Sequence, residues 1–154
     1  MDLHEIVTPS AVNAALNATS KKHLMQEIAQ RAADSHGLDA RRAFEALLER
    51  ERLGPTGMGR GVAIPHARLE GLDRIVGAFA RCQKPVEFDA VDDEPVDLVF
   101  ALFAPEDAGA NHLRALARVS RCLRDPATCA KLRAAEDASA VYAVLTETLE
   151  SRAA

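Results

Sequence analysis

The chain has 154 residues, 48% of them hydrophobic, so it can bury one sizeable core and is expected to form a single domain over residues 1–154. Its formal net charge of −4, from 19 basic and 23 acidic residues, offers no basic surface for nucleic acid, which is excluded as an expected partner. Since the sequence has neither an apolar run of about eighteen residues nor a basic, apolar leader, we expect a cytoplasmic protein without membrane insertion.

The first predicted elements are a short strand and two helices. Residues 12–16 alternate apolar and polar side chains, which indicates a strand. Ser20 can cap a helix that Gly37 would end, and Asp39 can cap a second helix that stops at Gly54. Both helices carry apolar residues at helical spacing, so each is expected to pack one face on a core.

Later segments predict more strands and three further helices. Apolar runs without polar alternation indicate strands over residues 62–64, 75–81, 86–88 and 96–103. Helices are expected after Asn111, after Asp125, and after Asp137 or Ser139, with Leu113 among the inward residues of the first and Leu149 among those of the last. The economical architecture is α/β, with a central mixed β-sheet sandwiched by helices on both faces. Residues 1–8 and 151–154 are expected to be loose ends.

The cysteines point to a reducing compartment. Cys82, Cys122 and Cys129 are an odd number and include no C-x-x-C pair, which argues against a disulfide framework and a zinc site. We expect them to be small buried hydrophobes. We expect no cofactor.

A glycine-punctuated passage between Gly54 and His66 is the most distinctive stretch. Four of the eight glycines lie there, and glycine readily adopts positive φ and lets the backbone approach other groups closely. Pro65 lacks an N–H group, so it is expected to stop the strand at 62–64 and to hold His66 where that strand ends.

Residues 50–66, which read RERLGPTGMGRGVAIPH, resemble the active-site region of enzyme IIA domains of the phosphotransferase system, mannitol/fructose type. They are most similar to the nitrogen-regulatory members, and the resemblance extends from about Val12 to about Leu149. It implies that His66 carries a phosphoryl group on Nε2, that Arg50 lies beside it, and that His112 is the family's second, unphosphorylated histidine. Pro55 departs from the family, where a serine is usual, so a direct role of that position in phosphate binding is not expected.

The residues themselves fit phosphoryl chemistry. A histidine with a pKa near 6.5 needs only a small downward shift to present an unprotonated nitrogen at neutral pH. The transfer then depends on positioning and charge stabilisation. Arg50 can offer a guanidinium fork, and His112, in the first turn of a helix, can donate a ring N–H. A phosphate-binding loop is expected from the hydroxyl of Thr56 and the N–H groups around Gly57, Gly59 and Gly61.

Other readings of these residues remain open. A lone histidine at a strand end is more often structural than catalytic, and Arg50 in the last turn of a helix is also explained by the helix dipole. The glycines do not follow a strand and open a helix as in a dinucleotide site, and no P-loop motif is present. A metal site would combine His66 and His112 with one carboxylate, from Glu70, Asp73 or Asp107, but no H-x-x-x-H pattern supports it.

The resemblance implies an intermediate histidine phosphocarrier that accepts its phosphoryl group on His66 from an HPr-like protein of the nitrogen type. Its output would be nitrogen- and potassium-linked regulation, with potassium transporter or sensor components as partners. One alternative is a sugar-branch enzyme IIA that passes phosphate to a IIB domain. Another is a binding module that keeps the fold without turning over phosphate. The absence of an attached IIB or IIC segment favours the regulatory branch.

Overall fold

The structure, a computed structural model, describes the backbone of residues 3–153 and the side chains of residues 4–147. Two short 3-10 turns at Leu3–Glu5 and Pro9–Ala11 precede the first strand. The strands and helices follow in the order β1 (Val12–Leu16), α1 (Lys21–His36), α2 (Ala40–Leu53), β2 (Gly57–Gly59), β3 (Val62–Ala63), β4 (His66–Arg68), β5 (Val76–Val86), β6 (Val96–Ala104), α3 (Ala110–Leu123), α4 (Pro126–Ala134) and α5 (Ala138–Ala153).

The six strands form one mixed sheet, as predicted. Strands β5 and β6 are antiparallel neighbours at its centre, and β1 lies parallel to β5 on the outer side. Strands β3 and β4 both run parallel to β6, one after the other along its free edge. Strand β2 is antiparallel to β3 and completes the sheet.

Helices cover the sheet in two groups. Helix α1 packs on α2 and against β1 and β5, while α2 contacts β4. Helices α3, α4 and α5 pack on one another, with α3 against β6 and α5 against β1. Every residue of β6 except Asp97 is buried, which requires cover on both faces of the sheet. The predicted α/β sandwich is confirmed.

Local capping signals correctly placed the ends of α1 and α2 and the starts of α4 and α5. The Ser20 side chain accepts a hydrogen bond from the His23 N–H group, and Asp39 accepts one from Arg42, so each satisfies an unpaired donor of a first turn. Gly37 ends α1 with φ of 74°, a conformation that glycine adopts without strain. Asp125 and Asp137 likewise accept hydrogen bonds from the first turns of α4 and α5.

Two predicted element boundaries are wrong. No separate strand occupies 86–88, because β5 continues through Pro85 to Val86. The pairing of β5 with β1 ends at Cys82, before Pro85, and the pairing of β5 with β6 is irregular between Arg81 and Val86. The N–H group that Pro85 lacks is therefore not needed for a hydrogen bond of the sheet. In α3 the capping position is Gly109, and Asn111 lies within the first turn. Leu113, expected to point inward, is 67% exposed.

Parts of the expected loose ends belong to packed or helical segments. Ile6 and Val7 are buried in the core, and the Ile6 carbonyl accepts a hydrogen bond from the Gly77 N–H group at 2.7 Å. The N-terminal segment therefore belongs to the packed structure as far as it is described. At the other end, residues 151–153 continue α5, whereas Ala154 and the side chain of Leu149 lie outside the described residues. Within residues 3–153, none of the helices combines the length and apolar character that crossing a bilayer would require.

Arg81 ties the sheet to the end of α4. Its guanidinium donates to the carbonyls of Ala14, Leu132 and Ala135 at 2.9, 2.9 and 2.6 Å. Arg81→Met should lower the free energy of unfolding by about 2–3 kcal/mol, because charge-assisted bonds to partly buried carbonyls are lost. Urea denaturation would measure this against Arg41→Met, which removes an exposed helix-surface pair and should cost about 0.5 kcal/mol or less. Equal losses of unfolding free energy in both variants would contradict this stabilising role of Arg81.

Candidate active site

His66 begins strand β4 and does not end a strand, contrary to the sequence prediction. Pro65 separates β3 from β4, yet both strands pair with β6, and the Pro65 carbonyl accepts a hydrogen bond from the Leu102 N–H group at 2.9 Å. The chain therefore passes the proline without leaving the edge of β6. This anchoring to the central strand fixes the backbone of His66.

The ring of His66 is held in one tautomer. Its Nδ1 atom lies 2.8 Å from the carbonyl oxygen of Ile64. A carbonyl can only accept a hydrogen bond, so Nδ1 carries the proton and its N–H group is the donor. In the neutral ring the lone pair is then on Nε2. Burial lowers the pKa of His66 and outweighs the opposing effect of the Ile64 hydrogen bond; Arg50 lowers the pKa further and Glu51 raises it. Neutral pH therefore favours the form whose Nε2 can act as a nucleophile.

His112 faces this ring from the first turn of α3. The two ring centroids are 5.7 Å apart with their planes at 74°, so the structure brings together the two histidines that the sequence singled out. His112 is only 6% exposed, and its buried Nε2 has no hydrogen-bond partner among the described residues. Burial, followed by the charges of His66 and Arg68, lowers its pKa. A buried polar nitrogen without a partner is costly, so this atom is suited to a ligand that would supply one.

Arg50 lies at the junction of two cavities beside His66. One cavity, of about 400 Å³, is lined by Thr56, Gly57, Met58, Val91 and Arg124, and the other, of about 410 Å³, by Leu53, Arg68, His112 and Leu113. Arg50, His66 and Leu116 line both. Arg50 Nη1 donates to the Gly54 carbonyl at 2.9 Å, which holds the guanidinium at the end of α2. The predicted proximity of Arg50 and His112 to His66 is therefore what the geometry shows.

The Thr56 hydroxyl, predicted to bind phosphate, is engaged by a carboxylate inside the protein. Thr56 is buried, and both its N–H group and its hydroxyl donate to the carboxylate of Glu51. The hydroxyl is thus committed inside the protein, although Thr56 does line the cavity beside His66. Sequence reasoning missed Glu51, because a glutamate in the last turn of a helix resembles an ordinary solvent-facing residue.

The glycine passage is a β-hairpin and not a loop that curls around an anion. Strands β2 and β3 pair antiparallel through a turn at Arg60 and Gly61, whose φ angles are 57° and 79°. The Arg60 N–H group donates to Asp92, and Arg133, paired with Asp97, donates to the Arg60 carbonyl. The hairpin turn is thus held by side chains that line neither cavity beside His66.

Of the three glycines assigned to phosphate binding, only Gly57 lines a cavity beside His66. Gly59 lies against Asp92, and Gly61 against Asp97 and Arg133, so the structure does not bring them to the imidazole. Strand pairing in the hairpin and the contacts with Asp92, Asp97 and Arg133 hold these backbone segments. The glycines serve a tight turn and close packing.

The metal alternative gains nothing from the geometry. Asp73 and Asp107 line a separate cavity with Arg74 and Asn111. In the part of the chain that the structure describes, no three histidine, cysteine, aspartate or glutamate side chains form a set that could hold a metal ion. All three cysteines are buried, as predicted, and burial raises the pKa of the Cys82 thiol to about 12.

Comparison with known proteins agrees with this arrangement. The profile of the family described as "Phosphoenolpyruvate-dependent sugar phosphotransferase system, EIIA 2" matches residues 5–148. The chain belongs to this family. An EIIA 2 domain is a phosphotransferase component that carries a phosphoryl group, so the predicted activity class is confirmed.

Among the relatives of this EIIA 2 domain is a nitrogen regulatory protein of Bradyrhizobium diazoefficiens, 52% identical over 145 residues, which cover 94% of this chain and 95% of the relative. The fructose-specific EIIA component of Haloferax volcanii is 37% identical over 132 residues, covering 85% and 86%. The crystal structure of the nitrogen regulatory protein IIA-Ntr from Neisseria meningitidis superposes with a TM-score of 0.88 at 38% identity, covering 94% of this chain and 99% of that one. These similarities confirm the recognised family and its nitrogen-regulatory branch as the nearer of the two.

Proposed function

We propose that this EIIA 2 domain is an intermediate phosphocarrier in which Nε2 of His66 accepts a phosphoryl group from an HPr-like protein of the nitrogen type. The observation that carries the proposal is the hydrogen bond from His66 Nδ1 to the Ile64 carbonyl, which leaves the lone pair on Nε2. Phosphoryl transfer needs a nucleophile in place and groups that neutralise charge around it. Arg50 and His112 are those groups.

The transfer step balances without an added base. The lone pair of His66 Nε2 forms a bond to phosphorus, the bond between phosphorus and the donor's ring nitrogen breaks, and its electron pair stays on that nitrogen. Nδ1 of His66 keeps its proton throughout, and its N–H group stays hydrogen-bonded to the Ile64 carbonyl. The guanidinium of Arg50 can hold phosphoryl oxygens in two charge-assisted hydrogen bonds. His112 contributes at Nε2, which can donate to the phosphoryl group once that nitrogen carries the proton.

The surface around His66 fits a protein donor. Three large hydrophobic side chains of the described residues are exposed, Leu53 by 83%, Val91 by 81% and Leu113 by 67%. All three line the two cavities that flank His66. Isolated exposed hydrophobics are common, but a set that surrounds one reactive side chain marks an interaction site. A donor whose own phosphohistidine lies within an apolar patch would bury these side chains as the two imidazoles meet.

A regulatory output is favoured over the sugar branch. The nitrogen regulatory protein of Bradyrhizobium diazoefficiens shares 52% of its residues with this chain, against 37% for the fructose-specific component of Haloferax volcanii. We therefore propose that the phosphorylated and unphosphorylated forms act in nitrogen- and potassium-linked regulation, through potassium transporter or sensor components. The phosphate-inactive binding module is disfavoured, because such a protein has no need of an oriented Nε2 beside Arg50 and His112.

The test is phosphorylation in a purified system. In one reaction the protein is incubated with phosphoenolpyruvate, a general phosphotransferase-system enzyme I and a sugar-type HPr carrier. In a parallel reaction the nitrogen-type enzyme I and carrier replace the sugar-type ones. We expect one added phosphoryl mass, labile in acid, located by peptide fragmentation on residue 66, and formed faster with the nitrogen-type carrier. Faster transfer from the sugar-type carrier, and onward transfer to a IIB domain, would support the sugar branch. No added mass with either carrier would overturn the carrier proposal in favour of the binding module.

A further inference from the structure

Glu51 is a buried carboxylate at which three donors converge. Its side chain is 4% exposed and accepts from the N–H group of Thr56 at 3.0 Å, from the Thr56 hydroxyl, and from Lys21 Nζ at 2.8 Å. Lys21 in turn lies 4.7 Å from the centre of the Phe88 ring. A buried carboxylate is tolerated only when it is paired and hydrogen-bonded in this way. Glu51 therefore links the start of α1, the end of α2 and the segment before β2.

The contacts continue from Glu51 to the reactive ring. The carbonyl of Thr56 accepts a hydrogen bond from the Ile64 N–H group at 3.1 Å, and the Ile64 carbonyl accepts one from the Nδ1–H group of His66 at 2.8 Å. The carboxylate thus fixes one side of Thr56, Thr56 fixes Ile64, and Ile64 fixes the tautomer of the imidazole. Arg50 is tied to the same segment through the Gly54 carbonyl.

We propose that Glu51, paired with Lys21, is a positioning residue that acts through the backbone of Thr56 and Ile64 to keep His66 in the tautomer with its lone pair on Nε2. The proposal rests on the proposed phosphocarrier function for its consequence, although the positioning itself concerns the resting protein. Neither residue lines a cavity beside His66. Free imidazole side chains in water exchange between tautomers, so a loosened Ile64 carbonyl would let His66 place its lone pair on Nδ1, the wrong nitrogen.

Ring nitrogen NMR of the unphosphorylated protein tests the positioning directly. With ¹⁵N-labelled histidine, wild type should show His66 as the Nδ1–H tautomer. In Glu51→Gln one donor meets an amide NH₂ group in place of an oxygen, so the population of the Nε2–H tautomer should rise severalfold. Lys21→Met should shift the tautomer population in the same direction, whereas Lys21→Arg, which keeps the positive charge, should give the wild-type spectrum. The matched controls are Lys22→Met and Glu45→Gln, which change exposed side chains on the same two helices.

Transfer kinetics supply the second measurement. Glu51→Gln and Lys21→Met should accept the phosphoryl group at least about tenfold more slowly at saturating donor, with the KM for the donor changed less than about twofold, because the docking surface is intact. The control variants should match wild type. Should Glu51→Gln fail to fold, Lys21→Met still tests the proposal, because Lys21 is a partly exposed residue of the first turn of α1.

The two proposals fail in different ways. Wild-type tautomer populations in both Glu51→Gln and Lys21→Met would overturn the positioning role even if His66 accepts phosphate normally. Tautomer shifts in these variants, together with no phosphorylation of the wild-type protein, would overturn the carrier function and leave the positioning role standing. A rise in donor KM without a change at saturation would assign the pair to docking and also contradict the proposal.

Discussion

His66→Ala is expected to accept no phosphoryl group, so that the added mass seen in wild type is absent at any incubation time. The substitution removes the Nε2 lone pair, the nucleophile of the reaction. We do not expect His112 to replace it, because a ring that is only 6% exposed is not open to the histidine of a donor protein. Intact mass spectrometry under mild alkaline conditions, which preserve phosphohistidine, measures the outcome.

Two variants serve as controls for this result. His23→Ala removes a histidine from the surface of α1, and it should accept one phosphoryl group at the wild-type rate. His112→Ala should still accept one, but more slowly, because it removes a stabilising group and leaves the acceptor in place. Full acceptance by His66→Ala together with none by His112→Ala would assign the phosphorylated nitrogen to His112.

Local signals allowed much of the fold to be predicted. Ser20, Asp39 and Asp125 cap helices by bonds to their own next turn, and Gly37 ends α1 by its own backbone conformation. Such contacts span a few residues and are legible in the sequence. The uninterrupted apolar runs gave the two central strands because a strand covered on both faces shows no polar alternation.

Two of the errors at the candidate site involve partners distant in the chain. His66 starts a strand because Pro65 stays hydrogen-bonded to Leu102, which a reading of the proline alone does not anticipate. The glycine passage folds into a hairpin whose turn is held by Asp92 and Arg133, from other parts of the chain. Glycine spacing indicates unusual backbone angles but not which groups will occupy the space around them.

Glu51 was not predicted for the same reason. Glu51 is buried because Lys21, thirty residues earlier, and Thr56 surround its carboxylate. In the sequence it is one of several charged residues at the end of α2, where Arg50 and Arg52 flank it. The resemblance to a family identified His66, Arg50 and His112, but only the three-dimensional contacts separate the residue that faces the phosphoryl group from the one that supports the backbone beneath it.

Arg50→Ala is expected to slow phosphoryl transfer to His66 about a hundredfold to a thousandfold, equivalent to about 2.7–4 kcal/mol for one preorganised electrostatic group. Arg50 lines both cavities beside His66, and its guanidinium is already oriented by the Gly54 carbonyl, so little reorganisation is needed when charge develops on the phosphoryl oxygens. Rapid-quench measurement of the transfer rate from the phosphorylated carrier gives the effect. Arg50→Lys should fall between wild type and Arg50→Ala, since it keeps the charge and loses the two-pronged geometry.

Arg52→Ala is the matched control for this prediction. Arg52 lies in the same last turn of α2 and carries the same charge, but it is exposed and lines neither cavity beside His66. Removing either arginine deletes one favourable interaction with the helix dipole, worth about 0.3–1 kcal/mol in stability. Only the loss of Arg50 should change the transfer rate. If both variants transfer phosphate as fast as wild type, Arg50 serves the helix end alone and the phosphoryl group must be stabilised by other groups.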